Sequence, residues 1–331
     1  MIVTPHWGVL SDPVTGARGR LVTGFLLSQR EVQKMKDVMK ILLAYDGSDC
    51  AQAALDDLRS AGLPPAAEVK VVAVLEAWLP PPSTWELIEG ATRASQELNM
   101  LARAQEAAVS LRSLFPAWNL TAHEDMGSPA SVLLKLADEW KPDLLVVGSH
   151  SRSAAGRFFL GSVSQKLVHE AHCSVRVARG RVQEPDTPLR ILIGVDGSAG
   201  AAAAVEAVAA RHWPATTEAR LVNATWSQPH LFSEPAASAV MKWLAEEHAR
   251  IEAMLQQSQE KLQAAGLQVS TLTEQEDPKK LLCAEAERWG ADSIFVGARG
   301  AGLIERLLIG SVSSVVAARA HCSVEVIRPP K

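Results

Sequence analysis

The sequence predicts two tandem α/β domains, each an open parallel sheet with helices on both faces. Three observations predict it: the chain is written twice, strands alternate with helices in each copy, and one strand of each copy is apolar throughout. "ILLAYDGSDCAQAALDDL" at 41–58 matches "ILIGVDGSAGAAAAVEAV" at 191–208, "KPDLLVVGSH" matches "GADSIFVGAR", and "AHCSVRV" matches "AHCSVEV". The offset is 150 residues at Asp46/Asp196 and 149 at both Gly161/Gly310 and Cys173/Cys322. A period this long is a duplicated domain rather than a stacked repeat.

The elements follow in the same order in both copies. A short apolar strand, 41–45 or 191–195, ends in Asp-Gly-Ser. Glycine permits the tight turn there, and aspartate and serine can cap the alanine-rich helix beyond it. A second strand, in "EVKVVAVLEAW" or "EARLVNATW", leads through a Pro-containing loop to long helical stretches near 91–114 and 236–264. Third strands at 119–124 and 267–273 precede helices carrying "LLKLADEW" and "LLCAEAERW". The fourth strands, 143–148 and 292–297, are continuously apolar, as expected at the centre of a parallel sheet. A further helix and a last strand, 173–178 or 322–327, close each copy, and the alternation reads as βαβ units.

These elements place the domains at 39–179 and 190–331, with a polar linker at 180–189 and an irregular arm or upstream extension at 1–38. So short a linker keeps the domains together. Pairing of the two last strands would cover an exposed edge and make an internal pseudo-dimer, leaving a homodimer open. With 33 basic and 37 acidic residues, nothing in the charge balance calls for nucleic acid. The apolar runs are too short and too interrupted for a membrane span. Four cysteines without a CxxC spacing read as reduced thiols, and hence as a cytoplasmic protein.

The chemistry is expected beyond the carboxyl ends of the strands. In the second copy Gly297, Gly300, Gly310 and Ser311 lie between the fourth strand and the next helix. Glycines there allow a close approach to backbone, and the free N–H groups of a helix start favour an anion. Arg299 and Arg306 could add charge, and Ser311 adds a hydroxyl. Asp196, at the end of the first strand, can accept bonds from a ribose or base, or can serve only as a helix cap; the residues leave both readings open. No GxxxxGK[ST], GxGxxG turn or GxSxG elbow occurs, which excludes a Walker loop, the usual dinucleotide fingerprint and a hydrolase elbow.

Taken together, "DGS" after strand one, "VVGS" or "FVGA" at strand four, the G-x2-G-x9-G-S spacing, "GSVS" and "HCSV" resemble the universal stress protein family over about 41–179 and 190–328. The resemblance implies a five-stranded, Rossmann-like core, and an ATP-binding type in which the glycine motif surrounds the triphosphate, with magnesium. It assigns Gly297, Gly300, Gly310 and Ser311 to phosphate, Asp196 to ribose or adenine, and Val222 to the base pocket. In the first copy it assigns Asp46, Val74, Gly148, Ser151, Gly161 and Ser162. Ser151 stands where the motif has its second glycine, and "EDP" at 276–278 stands where the first copy has "GSP".

The function expected is an ATP-binding stress-response sensor or regulator that signals to a protein partner not yet identified. No general base or nucleophile is apparent, and slow ATP hydrolysis is left open. His150 has Arg299 at its place in the other copy, so a shared histidine mechanism is not expected. His172 and His321 precede Cys173 and Cys322 on strands, where neighbouring side chains face opposite ways, so packing is expected rather than a Cys–His pair. The alternatives are a scaffold without nucleotide, and a nucleotide-hydrolysing or adenylating enzyme of the same superfamily.

Overall fold

The computed structural model describes residues 20–22, 25–27, 38–76, 91–149, 160–180, 187–225, 234–300 and 309–329. The chain divides into two units, Met1–Val38 and Met39–Lys331. The described part of the first is an antiparallel pair, β1 (Arg20–Val22) and β2 (Phe25–Leu27).

The second unit holds both copies. The first runs β3 (Met39–Ala44), α1 (Asp49–Asp57), β4 (Ala67–Leu75), α2 (Ala91–Leu114), β5 (Asn119–Met126), α3 (Pro129–Trp140), β6 (Leu144–Gly148), α4 (Ser162–Glu170) and β7 (Ser174–Ala178). The second runs β8 (Arg190–Gly194), α5 (Ala199–Ala209), β9 (Glu218–Ala224), α6 (Glu234–Ala264), β10 (Gln268–Glu274), α7 (Pro278–Trp289), β11 (Ser293–Gly297), α8 (Ser311–Arg319) and β12 (Ser323–Ile327).

All ten of these strands form one sheet in the order β10-β9-β8-β11-β12-β7-β6-β3-β4-β5. Pairing is parallel within each copy, and the copies join where β12 runs antiparallel to β7. β6 and β11 are buried at every residue, which is why "LLVVG" and "SIFVG" carry no polar alternation. The outermost strands, β5 and β10, expose residues along their length.

The two sheet faces are built differently. On one, a single apolar core crosses between copies, gathering Leu133, Val168 and Val177 of the first with Leu282, Val316 and Val326 of the second. Each such side chain contributes about 1.5–3 kcal/mol when fully buried, so this core binds the copies to each other. On the other face each copy keeps its own core, around Leu55 and Leu111 in the first and Val205 and Leu262 in the second.

Buried charges fill the junction on that second face. Arg176 of β7 donates to Asp57 through Nε at 2.6 Å and Nη2 at 3.1 Å, and to Glu325 of β12 through Nη1 at 3.3 Å. Arg211 pairs with the other oxygen of Glu325 and donates to the Ala61 carbonyl at 2.6 Å. Ser323 Oγ donates to Asp57 at 2.6 Å. Arg176 and Glu325 face each other in register, both fully buried. Burial opposes the Arg176 charge, and the attraction of Asp57 and Glu325 more than offsets it. Two cations and two anions leave the cluster neutral, the condition under which buried charge is tolerated.

The arginines that follow the last strands are exchanged between copies. Arg179 donates to the Ala317 and Ala318 carbonyls at the end of α8. Arg328 donates to the Val168 carbonyl in the last turn of α4 at 2.6 Å, and to that of Cys173 at 3.3 Å. A cation at a helix C-terminus complements the helix dipole, and here each copy supplies it to the other.

Candidate functional site

The Asp-Gly-Ser turns divide their labour alike in the two copies. Asp46 Oδ1 accepts from the Ser48 backbone N–H at 2.9 Å, and Asp196 Oδ1 from that of Ser198 at 3.0 Å. Ser48 and Ser198 then cap α1 and α5, accepting from the N–H groups of Ala51 and Ala201 at 3.2 and 3.1 Å. Capping falls to the serines, while the aspartates hold the turn.

Gly148 and Gly297 end β6 and β11, and the backbone that comes close to them belongs to a helix start. A Cβ on Gly297 would lie 2.7 Å from Gly200 Cα, and one on Gly148 would lie 2.8 Å from the Cys50 carbonyl oxygen. These glycines seat α5 and α1 on the central strands. Gly300 meets a side chain instead, since a Cβ there would press on Asp196 Oδ2 at 2.5 Å.

Beyond the turn, α8 is folded back on β11. The Gly310 N–H donates to the Ala298 carbonyl at 2.7 Å, and Ser313 Oγ donates to the Gly297 carbonyl at 2.5 Å. In the first copy the Gly161 N–H donates to the Ser149 carbonyl at 2.8 Å and Ser164 Oγ to that of Gly148 at 2.7 Å. Neither Gly161 nor Gly310 has a side chain with which to cap its helix. The first-turn N–H groups of α4 and α8 therefore face outward at the positive end of the helix dipole, beside the exposed Ser162 and Ser311.

In the second copy these parts surround a cavity of about 660 Å³, inside the range of about 300–1,000 Å³ usual for small-molecule sites. Asp196, Val222, Gly297, Gly300, Gly310 and Ser311 all line it. β9 and α7 supply an apolar wall of Val222, Ala224, Pro278 and Leu282, while the 297–300 turn with Arg299 and the start of α8 supply donors. Asp277 Oδ1 accepts from the Lys279 N–H at 2.8 Å, and Glu276 accepts from the Asp277 N–H at 2.8 Å, so the acidic residues of "EDP" build the start of α7. Pro278 is the member of that tripeptide that lines the cavity.

Two contributors have no local signal in the sequence. His169 belongs to the first copy and lines the cavity of the second, its Nε2 3.1 Å from Ser314 Oγ. In the first copy Arg103 Nη1 reaches from α2 to the Asp46 carbonyl at 3.2 Å. Asp46, Gly148, Gly161 and Ser162 occupy places matching those of the second-copy set, but the strand register does not match Val74 to Val222. Val222 pairs with Gly194 while Val72 pairs with the equivalent Ala44, so Val74 stands at the place of Ala224. Ser151, His150 and Arg306 lie outside the described residues.

The cysteine–histidine neighbours point elsewhere. Burial pushes the Cys173 thiol up to about 11 and the Cys322 thiol up to about 12. His172 Nδ1 lies 2.8 Å from Asp138 Oδ1, and His321 Nε2 lies 3.4 Å from Glu287. Among the described residues, no group of three or more His, Cys, Asp or Glu could hold a metal ion. Among the same residues, no helix is long and apolar enough to cross a membrane.

Comparison with known proteins gives a consistent result. The universal stress protein family model matches residues 38–179 and 189–328. A universal stress protein of Mycolicibacterium smegmatis is 32% identical over 213 residues, covering 60% of this chain and 66% of that protein. Universal stress protein Rv2005c of Mycobacterium tuberculosis is 27% identical over 254 residues, covering 76% of this chain and 81% of its own. The crystal structure of a universal stress protein from Archaeoglobus fulgidus has the same fold at 21% identity and a TM-score of 0.56, over 88% of this chain and 97% of that one.

Proposed function

Because this chain belongs to the universal stress protein family, whose model matches both of its copies, we propose that it is a stress-response sensor whose second copy binds ATP in the cavity beside α8. One observation carries the reading: six residues singled out from the sequence converge on a single cavity of about 660 Å³.

The chemistry of the lining supports an adenine nucleotide. Val222, Pro278 and Leu282 offer an apolar wall to a purine. The Asp196 carboxylate can accept from ribose hydroxyls. The 297–300 turn, Ser311 and the first-turn N–H groups of α8 suit the phosphates, which the helix dipole favours. Magnesium would arrive bound to those phosphates, as is usual for an ion that keeps its waters and phosphate ligands, and Ser311, which lines the cavity, could offer it a hydroxyl. The first copy is assigned the same ligand through Asp46, Val74, Gly148, Ser151, Gly161 and Ser162.

No base or nucleophile is assigned, so occupancy rather than turnover is the signal. Nucleotide shifts the chain toward the state that binds it better, and a protein partner reads that shift. The setting is the cytoplasm, where ATP and reduced thiols coexist. A homodimer would have to use surfaces other than β7 and β12, which pair within the chain.

The test is calorimetric titration of MgATP into the full chain, as wild type and as Gly300→Val. Saturable binding at one or two sites is expected in wild type. The variant should lose one site, because its new side chain displaces the Asp196 carboxylate. Wild-type protein that binds no MgATP, by calorimetry and by equilibrium dialysis, would end the proposal; so would a Gly300→Val chain that binds like wild type.

A further inference from the structure

We infer that the first copy completes the nucleotide site of the second: His169 is a phosphate-binding residue delivered across the interface between copies. The inference rests on the nucleotide reading above and adds a residue, a phosphate-selective role and a coupling between the copies.

The geometry starts from α8. Gly310 is its N-cap, and Ser311 and Ser314 are three residues apart, hence neighbours on one helix face. His169 Nε2 sits 3.1 Å from Ser314 Oγ, and His169, Ser311 and Ser314 all line the cavity. The imidazole and the Ser314 hydroxyl therefore stand one turn along from the uncapped N–H groups, on the side that the phosphates of a bound nucleotide would occupy. Nucleotide would exchange the bond between them for a better one: the imidazole N–H can turn from Ser314 Oγ to a phosphate oxygen, and a hydrogen bond to a charged partner is among the stronger ones available.

His169 is also held in place from the second copy. The Val168 carbonyl, one residue before it, accepts from Arg328 at 2.6 Å, and Leu167 and Val168 are fully buried in the shared core. The ring reaches the cavity only while the copies remain docked, so nucleotide bound in the second copy strengthens its contact with the first.

The arrangement is one-sided. With the offset of 149 residues, the counterpart of His169 is Ala318 and the counterpart of Ser314 is Gln165. At that position the second copy has no imidazole to return to the first, and the two sites are unequal.

The experiment compares MgATP with adenosine, which lacks phosphates, on full-length wild type, His169→Ala and His169→Gln, at the site that Gly300→Val removes. Loss of a hydrogen bond to a charged group predicts MgATP affinity about tenfold or more weaker in His169→Ala. Adenosine affinity should stay within about twofold, and His169→Gln, which keeps an N–H donor, should recover most of the MgATP loss. Unchanged MgATP affinity in His169→Ala overturns the inference and leaves the nucleotide reading standing. Equal loss for MgATP and adenosine also overturns it, by making His169 merely structural. Wild-type protein that binds neither ligand overturns the nucleotide reading, and this inference falls with it.

Discussion

At Gly297 the backbone of β11 lies against the backbone of α5, and nothing in that contact can rotate away. Replacing it with alanine puts a methyl group 2.7 Å from Gly200 Cα. Overpacking of this kind costs about 1–3 kcal/mol. Gly297→Ala should therefore lower the urea midpoint with little change in the slope of the transition. Gly300→Ala meets only the Asp196 carboxylate, which can turn aside. Two glycines of one motif thus do different work. The spacing of the motif made both visible in the sequence, as the Asp-Gly-Ser turn did for Asp196. It could not separate a glycine that seats a helix from one that accommodates a side chain, because that depends on Gly200 and Asp196, about a hundred residues away in the chain.

Among the elements, the strands and their alternation with helices were legible because apolar runs and glycine-containing turns are local properties of the chain. What joins the copies was legible only in outline. The last strands suggested an internal pairing, and β7 and β12 do pair, but the exchanged arginines left no periodic trace. Arg179 gives its hydrogen bonds to the end of α8 while burial pulls its pKa below the ordinary arginine value. Arg179→Met keeps most of the apolar stem and leaves those carbonyls without the cation. A loss of about 2 kcal/mol is expected from hydrogen bonds to a charged group. Thermal unfolding should shift down accordingly. His169 was invisible for the same reason as the arginines, since its meaning lies in the opposite copy.

For the whole molecule, the buried cluster of Arg176, Asp57, Arg211 and Glu325 lies at the junction between the two copies, beside the β7–β12 pairing. Glu325→Gln preserves shape and leaves one excess positive charge out of water. Breaking a buried pair in this way costs about 3–5 kcal/mol. Calorimetric melting should show that loss, and separation of one transition into two would place it at the junction between copies. A smaller loss, below about 1 kcal/mol, would mean that water reaches the cluster.

The register of β7 on β12 has a further consequence for descent by duplication. Val177 meets Val324 and Val175 meets Val326, so the seam is nearly palindromic except at its centre, where Arg176 meets Glu325. A pair of identical halves must place the same residue on both sides of such a seam: arginine against arginine, or glutamate against glutamate. Joining the halves in one chain removed that obligation and let the central position take opposite signs. Each half has become a mate for the other and a misfit for itself, so the seam cannot be extended by adding like to like.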